Sequence, residues 1–309
     1  MSNRKPIRSL LEFFDAFPDE NACEDYLFEL RYSKGFVCPL CGYTACCKIS
    51  GRREFQCSRC RHQESLTART VMHKTRLPLR KWFLAVYLVT HDKRGISAMR
   101  LAWELGVARD TAYRMLCSIR SAMADVAIPL NLSGTVELDD AYIGSKGGLR
   151  GRGTDRAPFV AAVEKSKGGL LCMRATECLR GDDYKEFARW HVCKTARILT
   201  DGLNAIRAGL SSWSGLDSAV YDKHDKERCL PTVHHAISNF KAMINGAYHG
   251  VRKVFLQSYM DEYTYRYNNR RNVYIFHTLL TDLYLSPSRS KCEIIELFAV
   301  QTTQKKKAA

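Results

Sequence analysis

Residues 136–144, Val136-Glu137-Leu138-Asp139-Asp140-Ala141-Tyr142-Ile143-Gly144, are the stretch that decides the fold of this chain. Apolar and acidic residues alternate along it, and this period of two predicts a β-strand. The strand delivers Asp139 to its end, and Ile143-Gly144 closes it. Because acid inside an otherwise apolar strand needs a partner, the pattern indicates either a divalent metal ion or a structural ion pair.

The segments that follow this strand predict an α/β domain. Two apolar segments separated by a turn that contains Gly168-Gly169 indicate a hairpin. A helical segment comes next, and then a short buried strand that ends in Asp201. The predicted strands are 135–143, 159–164, 170–176, 196–200 and 218–221, the helix between them is 181–194, and 232–285 is mostly helical. This order is the one expected of an RNase H-like α/β domain.

Two aspartates, Asp139 and Asp201, each lie at the C-terminal end of a predicted apolar strand. If these strands are neighbours in the sheet, the two carboxylates converge. Two carboxylates at so short a distance repel each other unless a cation lies between them, so the pair predicts Mg²⁺ or Mn²⁺. Such ions activate the attacking oxygen and stabilise the leaving oxygen when a phosphodiester is displaced. The structural alternative is a helix cap at Asp201 and a surface ion pair at Asp139.

Upstream of the α/β segment, four cysteines have the spacing of a metal site. Cys38 and Cys41 form one C-x2-C pair, Cys57 and Cys60 form a second, and fifteen residues separate the pairs. This arrangement suits two tight turns that present four thiolates to one tetrahedral Zn²⁺. Four thiolates leave no open position for water or substrate, so the predicted zinc is structural.

Between the cysteines and the acidic strand, the pattern becomes helical. Residues 96–124 suit a helix-turn-helix with its turn at Gly106. The second predicted helix carries Arg109, Arg114 and Arg120, which we expect to meet phosphates or bases in a major groove. The alternative is an ordinary helical packing unit.

The charge of the chain points to a polyanionic partner. Among 309 residues, 48 are Lys or Arg and 32 are Asp or Glu, which gives a formal net charge of +16. We therefore expect double-stranded DNA as the partner, and a basic protein without such a partner is the alternative. No run approaches the roughly 18 apolar residues of a membrane span, and no signal peptide is evident. We expect an intracellular, cytoplasmic and nucleoid-associated protein with no membrane partner.

Two further basic segments are candidate DNA contacts. One is a Gly-rich loop that contains Arg150 and Arg152, and the other is the stretch 263–271, which interleaves tyrosines with Arg266 and Arg270. Aromatic rings stack on bases while arginine pairs with phosphate, so the second stretch suits nucleic-acid binding. Its tyrosines also share one helix face, and a core position is the alternative for them.

In their order, these motifs resemble bacterial insertion-sequence transposases that have an N-terminal zinc ribbon, a helix-turn-helix and a DDE-type RNase H-like catalytic domain. The resemblance rests on the acidic strand, on Thr200-Asp201-Gly202, and on the segments 233–241, 246–250 and 259–271 behind the cysteine pairs. It implies a transposase that binds terminal inverted repeats, cleaves the strands there and joins the 3′ hydroxyls to target DNA. Holding two ends at once implies a homodimer or a larger assembly.

The resemblance also implies a catalytic set. Asp139 and Asp201 match the first two acids of the family, while the third position carries Glu or Asn, followed by a basic residue, early in the helix after the last strand. This chain offers Asn239 there, with Lys241 to contact the scissile phosphate. His234 lies seven residues before Lys241, two helical turns away on the same face, and is the rival ligand. Glu262 is an acid farther along, within the Tyr-x-x-Glu-x-x-x-Arg-x-Asn stretch.

We therefore predict five segments in this chain. They are N-terminal helices (1–34), a zinc ribbon (35–68), a helix-turn-helix domain (75–128), a DDE catalytic domain (133–285) and a C-terminal tail (286–309). Two rival hypotheses come from other classes. One is a catalytically inactive, transposase-derived DNA-binding protein, and the other is a zinc-ribbon transcription regulator whose acidic strands are structural.

Overall fold

The computed structural model of the chain describes residues 4–49, 51–127, 130–144, 156–218, 230–290, 292–294 and 296–297. The chain divides into two compact units. The first comprises Met1–Lys93, Ala98–Ala122 and Asn272–Ser290, and the second comprises Arg94–Ser97, Met123–Arg271 and Lys291–Ala309. Among the described residues, every helix is too short or too polar to span a lipid bilayer.

Among its described residues, the first unit contains six helices. They are α1 (Leu10–Ala16), α2 (Glu20–Arg31), α3 (Leu79–His91), α4 (Ala98–Leu105), α5 (Arg109–Ala127), whose last residues belong to the second unit, and α10 (Ile275–Leu285). Ser9 and Glu12 form a capping box at the start of α1, and Asp19 caps α2. Aromatic rings fill the core, where Phe17 meets Phe83 edge to face at 4.9 Å between ring centroids. The sequence pattern placed α10 in the catalytic domain, whereas Phe276 of α10 packs here against Phe13 and Phe17.

A small antiparallel sheet carries the cysteine pairs. Its strands are β1 (Cys46–Lys48), β2 (Glu54–Cys57) and β3 (Gln63–Ser65), in the order β1-β2-β3. Each C-x2-C pair forms a tight turn, closed by hydrogen bonds from Gly42 N to Cys38 O at 2.9 Å and from Arg61 N to Cys57 O at 3.1 Å. Gly42 and Arg61 both have positive φ, at 72° and 63°, so the two turns have the same shape.

The helices α4 and α5 are joined by a three-residue turn that begins at Gly106, where φ is +57°. Arg109 and Arg114 are exposed on α5. Arg120 lies on the same helix but is buried, so it supports the packing of α5. This corrects the expectation that Arg120 meets DNA.

A five-stranded mixed sheet is the centre of the second unit. Its order is β6-β5-β4-β7-β8, with the acidic strand β4 in the middle. The strands are β4 (Thr135–Ile143), β5 (Ala157–Glu164), β6 (Leu171–Ala175), β7 (Arg197–Thr200) and β8 (Leu216–Ser218). β5 pairs antiparallel with both β4 and β6, whereas β4, β7 and β8 run parallel. β8 shares only Ser218 with the predicted strand at 218–221, and residues 219–221 lie outside the described residues.

Helices cover both faces of this sheet because successive side chains of a strand point to opposite faces. Val136 and Leu138 pack with α6 (Gly181–His191) and α7 (Asn204–Gly209) in one hydrophobic core. Ala141 packs on the other face with α8 (Pro231–Met243) and α9 (Leu256–Asn268). A π-helix at Ile244–Tyr248 and a 3₁₀-helix at Lys253–Phe255 connect α8 to α9. Apart from the extra helix α7, this is the predicted order of elements.

The edge strand β6 is protected by amide side chains of α9. Asn268 accepts a hydrogen bond from Leu171 N at 2.8 Å and donates one to Leu171 O at 3.0 Å. Gln257 accepts from Ala175 N at 2.8 Å and donates to Met173 O at 3.2 Å. These side chains satisfy backbone groups that an open edge would expose to another chain.

Candidate catalytic site

The two predicted aspartates lie at the same level on neighbouring parallel strands. Glu137 of β4 is in register with Leu199 of β7, and Asp139 and Asp201 each follow two residues later. Asp139 is within β4, and Asp201 directly follows β7. Asp201 Oδ1 also accepts a hydrogen bond from Leu203 N at 3.3 Å, which supports the turn into α7. The register therefore places the two aspartates at the same level of neighbouring strands, but Asp139 lies in the middle of β4, which corrects the expectation that it ends the strand.

A histidine from α8 completes this arrangement. His234 Nε2 lies 3.2 Å from Asp139 Oδ2, and the imidazole is half-buried. The hydrogen bond with Asp139 raises the pKa of His234 against the opposing effect of burial. The negative charges of Asp139, Glu137 and Asp201 raise it further. His234 is thus within the electrostatic reach of both aspartates.

The start of α8 is held by a carboxylate from β4. Glu137 is fully buried, and its Oε2 accepts hydrogen bonds from Thr232 N at 2.7 Å and Val233 N at 3.0 Å. Thr232 Oγ1 donates to Glu137 Oε1 at 3.2 Å. Lys165 Nζ lies 4.0 Å from the same Oε1. Glu137 therefore binds the helix that carries His234.

Lys241 lies two turns after His234, close to the same acids. Burial and the charge of Arg156 lower the pKa of Lys241, while Asp139 and Asp140 act in the opposite direction. Lys241 and Arg156 thus place positive charge beside the carboxylates. Arg156 had no sequence signal of its own, because it borders the Gly-rich loop and its influence on Lys241 arises only in the folded chain.

Asn239 points elsewhere. It follows His234 by five residues, which turns it by about 140° around the helix axis. It is exposed, and its side chain hydrogen-bonds to Tyr263, an interaction that lowers the pKa of that phenol. Burial of Tyr263 outweighs this interaction and raises the pKa to about 12. The structure therefore brings His234 to Asp139 and directs Asn239 towards α9.

Glu262 and Arg266 form an ion pair inside the second unit. Their atoms Oε1 and Nη2 are 3.3 Å apart, and Tyr248 donates its hydroxyl to Glu262 Oε1 at 2.9 Å. Only 9% of the Arg266 side chain is exposed, and its Nη2 also lies 2.7 Å from Met243 Sδ. Arg266 therefore takes part in packing, and its contact with DNA stays a prediction.

Arg270 is exposed and borders the turn between β5 and β6. It donates to Tyr267 O at 2.7 Å and to Gly169 O at 3.0 Å, and its guanidinium lies 4.0 Å from the Tyr267 ring centroid. Arg150 and Arg152 lie outside the described residues. The structure therefore does not test their expected contact with DNA.

Asp140 faces away from the candidate site, as the alternation of the strand predicts. Tyr184 of α6 donates its hydroxyl to Asp140 Oδ1 at 2.7 Å. The alternation of the strand also allows Asp140 to contact the Arg-rich loop, and residues 145–155 of that loop lie outside the described residues. The Tyr184 contact was missed because α6 meets β4 only through the tertiary fold.

The four cysteines form a compact group in the first unit. All four sulfur atoms lie within 4.8 Å of one another, with Cys38–Cys60 and Cys41–Cys57 both at 3.6 Å. A tetrahedron with Zn–S bonds of about 2.3 Å has edges of about 3.8 Å, so the spacing fits a zinc ion. Within the described parts of the chain, this is the only group of His, Cys, Asp or Glu ligands that is so compact. Asp139, Asp201 and His234 form a more open set.

Both units match known domain families. Residues 18–63 match the transposase zinc-ribbon domain of IS1595 elements, and residues 131–268 match the ISXO2-like transposase domain of the same elements. A protein of the transposable element ISH50 from Halobacterium salinarum is 33% identical over 143 residues, which is 45% of this chain and 47% of that protein. The chain thus spans about half the length of this curated relative. No solved structure matches the chain. Residues 18–63 and 131–268 are thus similar to the two domains of IS1595 insertion-sequence transposases.

Proposed function

We propose that this protein is a DNA transposase that cleaves the ends of its own element and joins them to target DNA. The observation that carries the proposal is the contact between Asp139 and His234 at 3.2 Å, with Asp201 at the same level on the neighbouring parallel strand. Two carboxylates and an imidazole are donors that a divalent cation accepts. The family match and the charge of +16 support DNA as the substrate.

Asp139, Asp201 and His234 would hold Mg²⁺ or Mn²⁺. The ion, when bound, would activate the attacking hydroxyl or water and stabilise charge on the leaving oxygen. Asp139 and Asp201 supply negative charge that offsets the cation, and neither forms a covalent bond to DNA.

Lys241 and Arg156 would orient the scissile phosphate. Asp139 raises the pKa of Lys241 and Arg156 lowers it, so Lys241 is within electrostatic reach of both residues. A phosphodiester approaching the carboxylates needs such cations to offset repulsion. We assign Lys241 this role because it shares the face of α8 with His234.

His234 is our candidate for the third ligand, in preference to Asn239 and Glu262. Asn239 hydrogen-bonds to Tyr263, and Glu262 pairs with Arg266 and Tyr248. His234 contacts Asp139 directly. The assignment departs from the Glu or Asn that the family resemblance implies at this position.

The first unit would bind the terminal inverted repeats. A zinc ion on the four cysteines would stabilise the ribbon, and α4 with α5 would form a helix-turn-helix whose exposed Arg109 and Arg114 meet the DNA. Joining two ends requires that both be held together, so we propose a homodimer or larger assembly. In the second unit, Arg270 is a further candidate DNA contact because it is exposed.

A catalytically inactive, transposase-derived DNA-binding protein is the second candidate. The observation that favours it is the absence of a carboxylate at the position occupied by His234. Such a protein would bind the end sequences but leave them uncut. A zinc-ribbon transcription regulator would also bind DNA without cleaving it.

Cleavage and strand transfer on DNA flanking the gene, with Mg²⁺ or Mn²⁺, separate these functions. We expect joined products from the wild type and a loss of more than about 100-fold in Asp139→Asn and Asp201→Asn, because each removes a ligand of the ion. Asp217→Asn is the matched control, since Asp217 forms an exposed ion pair with Arg197 at the edge strand β8. Full joining activity in both site variants would refute the assignment. Binding without cleavage by the wild type would favour the inactive protein.

A further inference from the structure

We propose that Glu137 is a positioning residue that fixes His234 over Asp139 by capping α8 from the catalytic strand. The proposal rests on the proposed function in one respect, namely that His234 is a metal ligand. Glu137 itself would not touch the ion. Its role would be to set the rotation and height of α8 relative to β4.

Burial is the first observation. A fully buried carboxylate is strongly destabilising unless it is charge-paired or hydrogen-bonded. Glu137 accepts three hydrogen bonds from α8, which come from Thr232 N, Val233 N and Thr232 Oγ1. All three donors belong to the first turn of the helix, where backbone N–H groups have no partner within the helix. Hydrogen bonds from the first turn of α8 therefore hold the Glu137 carboxylate.

The helix has no side-chain cap of its own, which is the second observation. Leu230 occupies the N-cap position, and it makes no capping hydrogen bond. Pro231 has no N–H group, so the first donors of α8 are those of Thr232 and Val233. Glu137 satisfies both, and its negative charge lies favourably at the positive end of the helix dipole.

The geometry links this cap to the site. Glu137 and Asp139 lie on the same face of β4, about 6.6 Å apart along the strand. Val233 and His234 are adjacent on α8. One strand thus holds the helix at Val233 and meets its imidazole at the next residue. A one-residue slip of α8 would rotate His234 by about 100° and remove it from Asp139.

Three variants separate capping from charge. Glu137→Gln keeps a carbonyl oxygen that accepts from both N–H groups, but it removes the charge. Glu137→Asp keeps the charge and shortens the side chain by one methylene, so it draws the acceptor away from α8. Asp183→Ala is the matched control, because Asp183 is a mostly buried carboxylate that accepts from Arg180 N at 2.9 Å at the start of another helix of the same unit, α6.

Two readouts are needed on the full-length protein. The first is the dissociation constant of Mn²⁺, measured by the electron paramagnetic resonance of the free ion. The second is hydrogen exchange at the amides of Thr232 and Val233, which does not depend on the metal. We expect Glu137→Asp to weaken Mn²⁺ binding by at least about tenfold and to speed exchange at both amides. Glu137→Gln should match the wild type in both readouts, and Asp183→Ala should lower stability without changing Mn²⁺ affinity.

Each outcome decides the proposal. If Glu137→Asp binds Mn²⁺ as tightly as the wild type, positioning is excluded and the proposal is overturned. If Glu137→Gln and Glu137→Asp weaken Mn²⁺ binding equally, the effect belongs to the charge of Glu137, and the proposal is overturned as well. If the wild type binds no Mn²⁺ at all, the metal-dependent function fails together with the positioning of a ligand. Metal binding by the wild type with unchanged amide exchange in Glu137→Asp would refute only the capping role.

Discussion

His234 places a nitrogen donor where the family resemblance implies an oxygen donor. Mg²⁺ prefers oxygen ligands in octahedral geometry, whereas imidazole is a ligand of transition-metal ions. The half-buried imidazole lies directly on Asp139, so a cation there would meet both donors. We therefore expect this site to favour Mn²⁺ over Mg²⁺ more strongly than a site built from three carboxylates.

His234→Glu tests this preference. We expect the variant to gain Mg²⁺ affinity relative to Mn²⁺ by about tenfold or more, because it replaces nitrogen with oxygen. Calorimetric titration with each ion measures the ratio. Asn239→Ala is the control on the same helix and should leave both affinities unchanged, since Asn239 bonds to Tyr263. A large loss in Asn239→Ala would make Asn239 the ligand instead.

Asp261 is a buried acid that makes the stability of the second unit depend on pH. Burial raises its pKa from 3.8 to about 7, although the hydrogen bond from Gln257 and the charge of Arg174 act in the opposite direction. Its Oδ2 has no hydrogen-bond partner among the described residues. The folded state therefore keeps a proton on Asp261 at pH values where the unfolded chain has lost it.

The difference in proton binding between the folded and the unfolded state determines how the free energy of unfolding changes with pH. The stabilising contribution is fully present below about pH 4 and is lost as the pH rises towards 7, because the unfolded state then binds fewer protons than the folded state. At about 1.4 kcal/mol per pH unit, the loss is at most about 4 kcal/mol. We expect Asp261→Asn to remove this dependence and to raise stability at pH 8. Urea unfolding between pH 4 and 8 measures the pH dependence of stability. The variant Asp217→Asn, at an exposed site, should behave as the wild type.

At the scale of elements, the ribbon depends on its metal. Its three strands have three or four residues each, and its buried core contains only Phe36, Cys38 and Cys57 among the described residues. So small a core needs a metal ion to fold stably. The four sulfur atoms already have the spacing that zinc requires.

Removing one thiolate tests this dependence. We expect Cys38→Ser to lose the one zinc ion per chain and to unfold the ribbon, as shown by metal analysis and by hydrogen exchange of β2. Cys47→Ser is the matched control, because Cys47 is exposed on β1 and lies outside the cysteine group. Full zinc content in Cys38→Ser would contradict the assignment of the site.

Over the whole molecule, the excess of positive charge favours binding to DNA by contacts with phosphates. Such binding weakens linearly with the logarithm of salt concentration, because each contact releases counterions. Arg114 on α5 is exposed, whereas Arg120 on the same helix is buried. We therefore expect substitution of Arg114 to affect DNA binding and substitution of Arg120 to affect protein stability.

We expect Arg114→Ala to reduce the salt dependence by about one counterion if it contacts a phosphate. Arg120→Ala should instead lower thermal stability, since it leaves a cavity and unpaired groups in the packed helix. Fluorescence anisotropy with end DNA at several salt concentrations measures the first effect, and thermal unfolding measures the second. An unchanged salt slope in Arg114→Ala would remove this residue from the DNA interface.

Much of the fold follows from patterns that involve only neighbouring residues. The alternation in residues 136–144 predicts β4 and the opposite directions of Asp139 and Asp140, because the pleat of a strand sets both. The spacing of Cys38, Cys41, Cys57 and Cys60 predicts the metal group, since tight turns place each pair locally. These features depend on covalent geometry over a few residues.

What the sequence by itself determined was therefore the acidic strand with Asp139, the short strand followed by Asp201, and the cysteine group. Only the tertiary structure decided that His234, and not Asn239, faces Asp139, because the rotation of α8 depends on its distant contact with Glu137. It also decided that Arg120 is buried, that Arg266 pairs with Glu262, and that α10 packs with the first unit. Helical periodicity identifies a face, but long-range packing determines which partner that face meets.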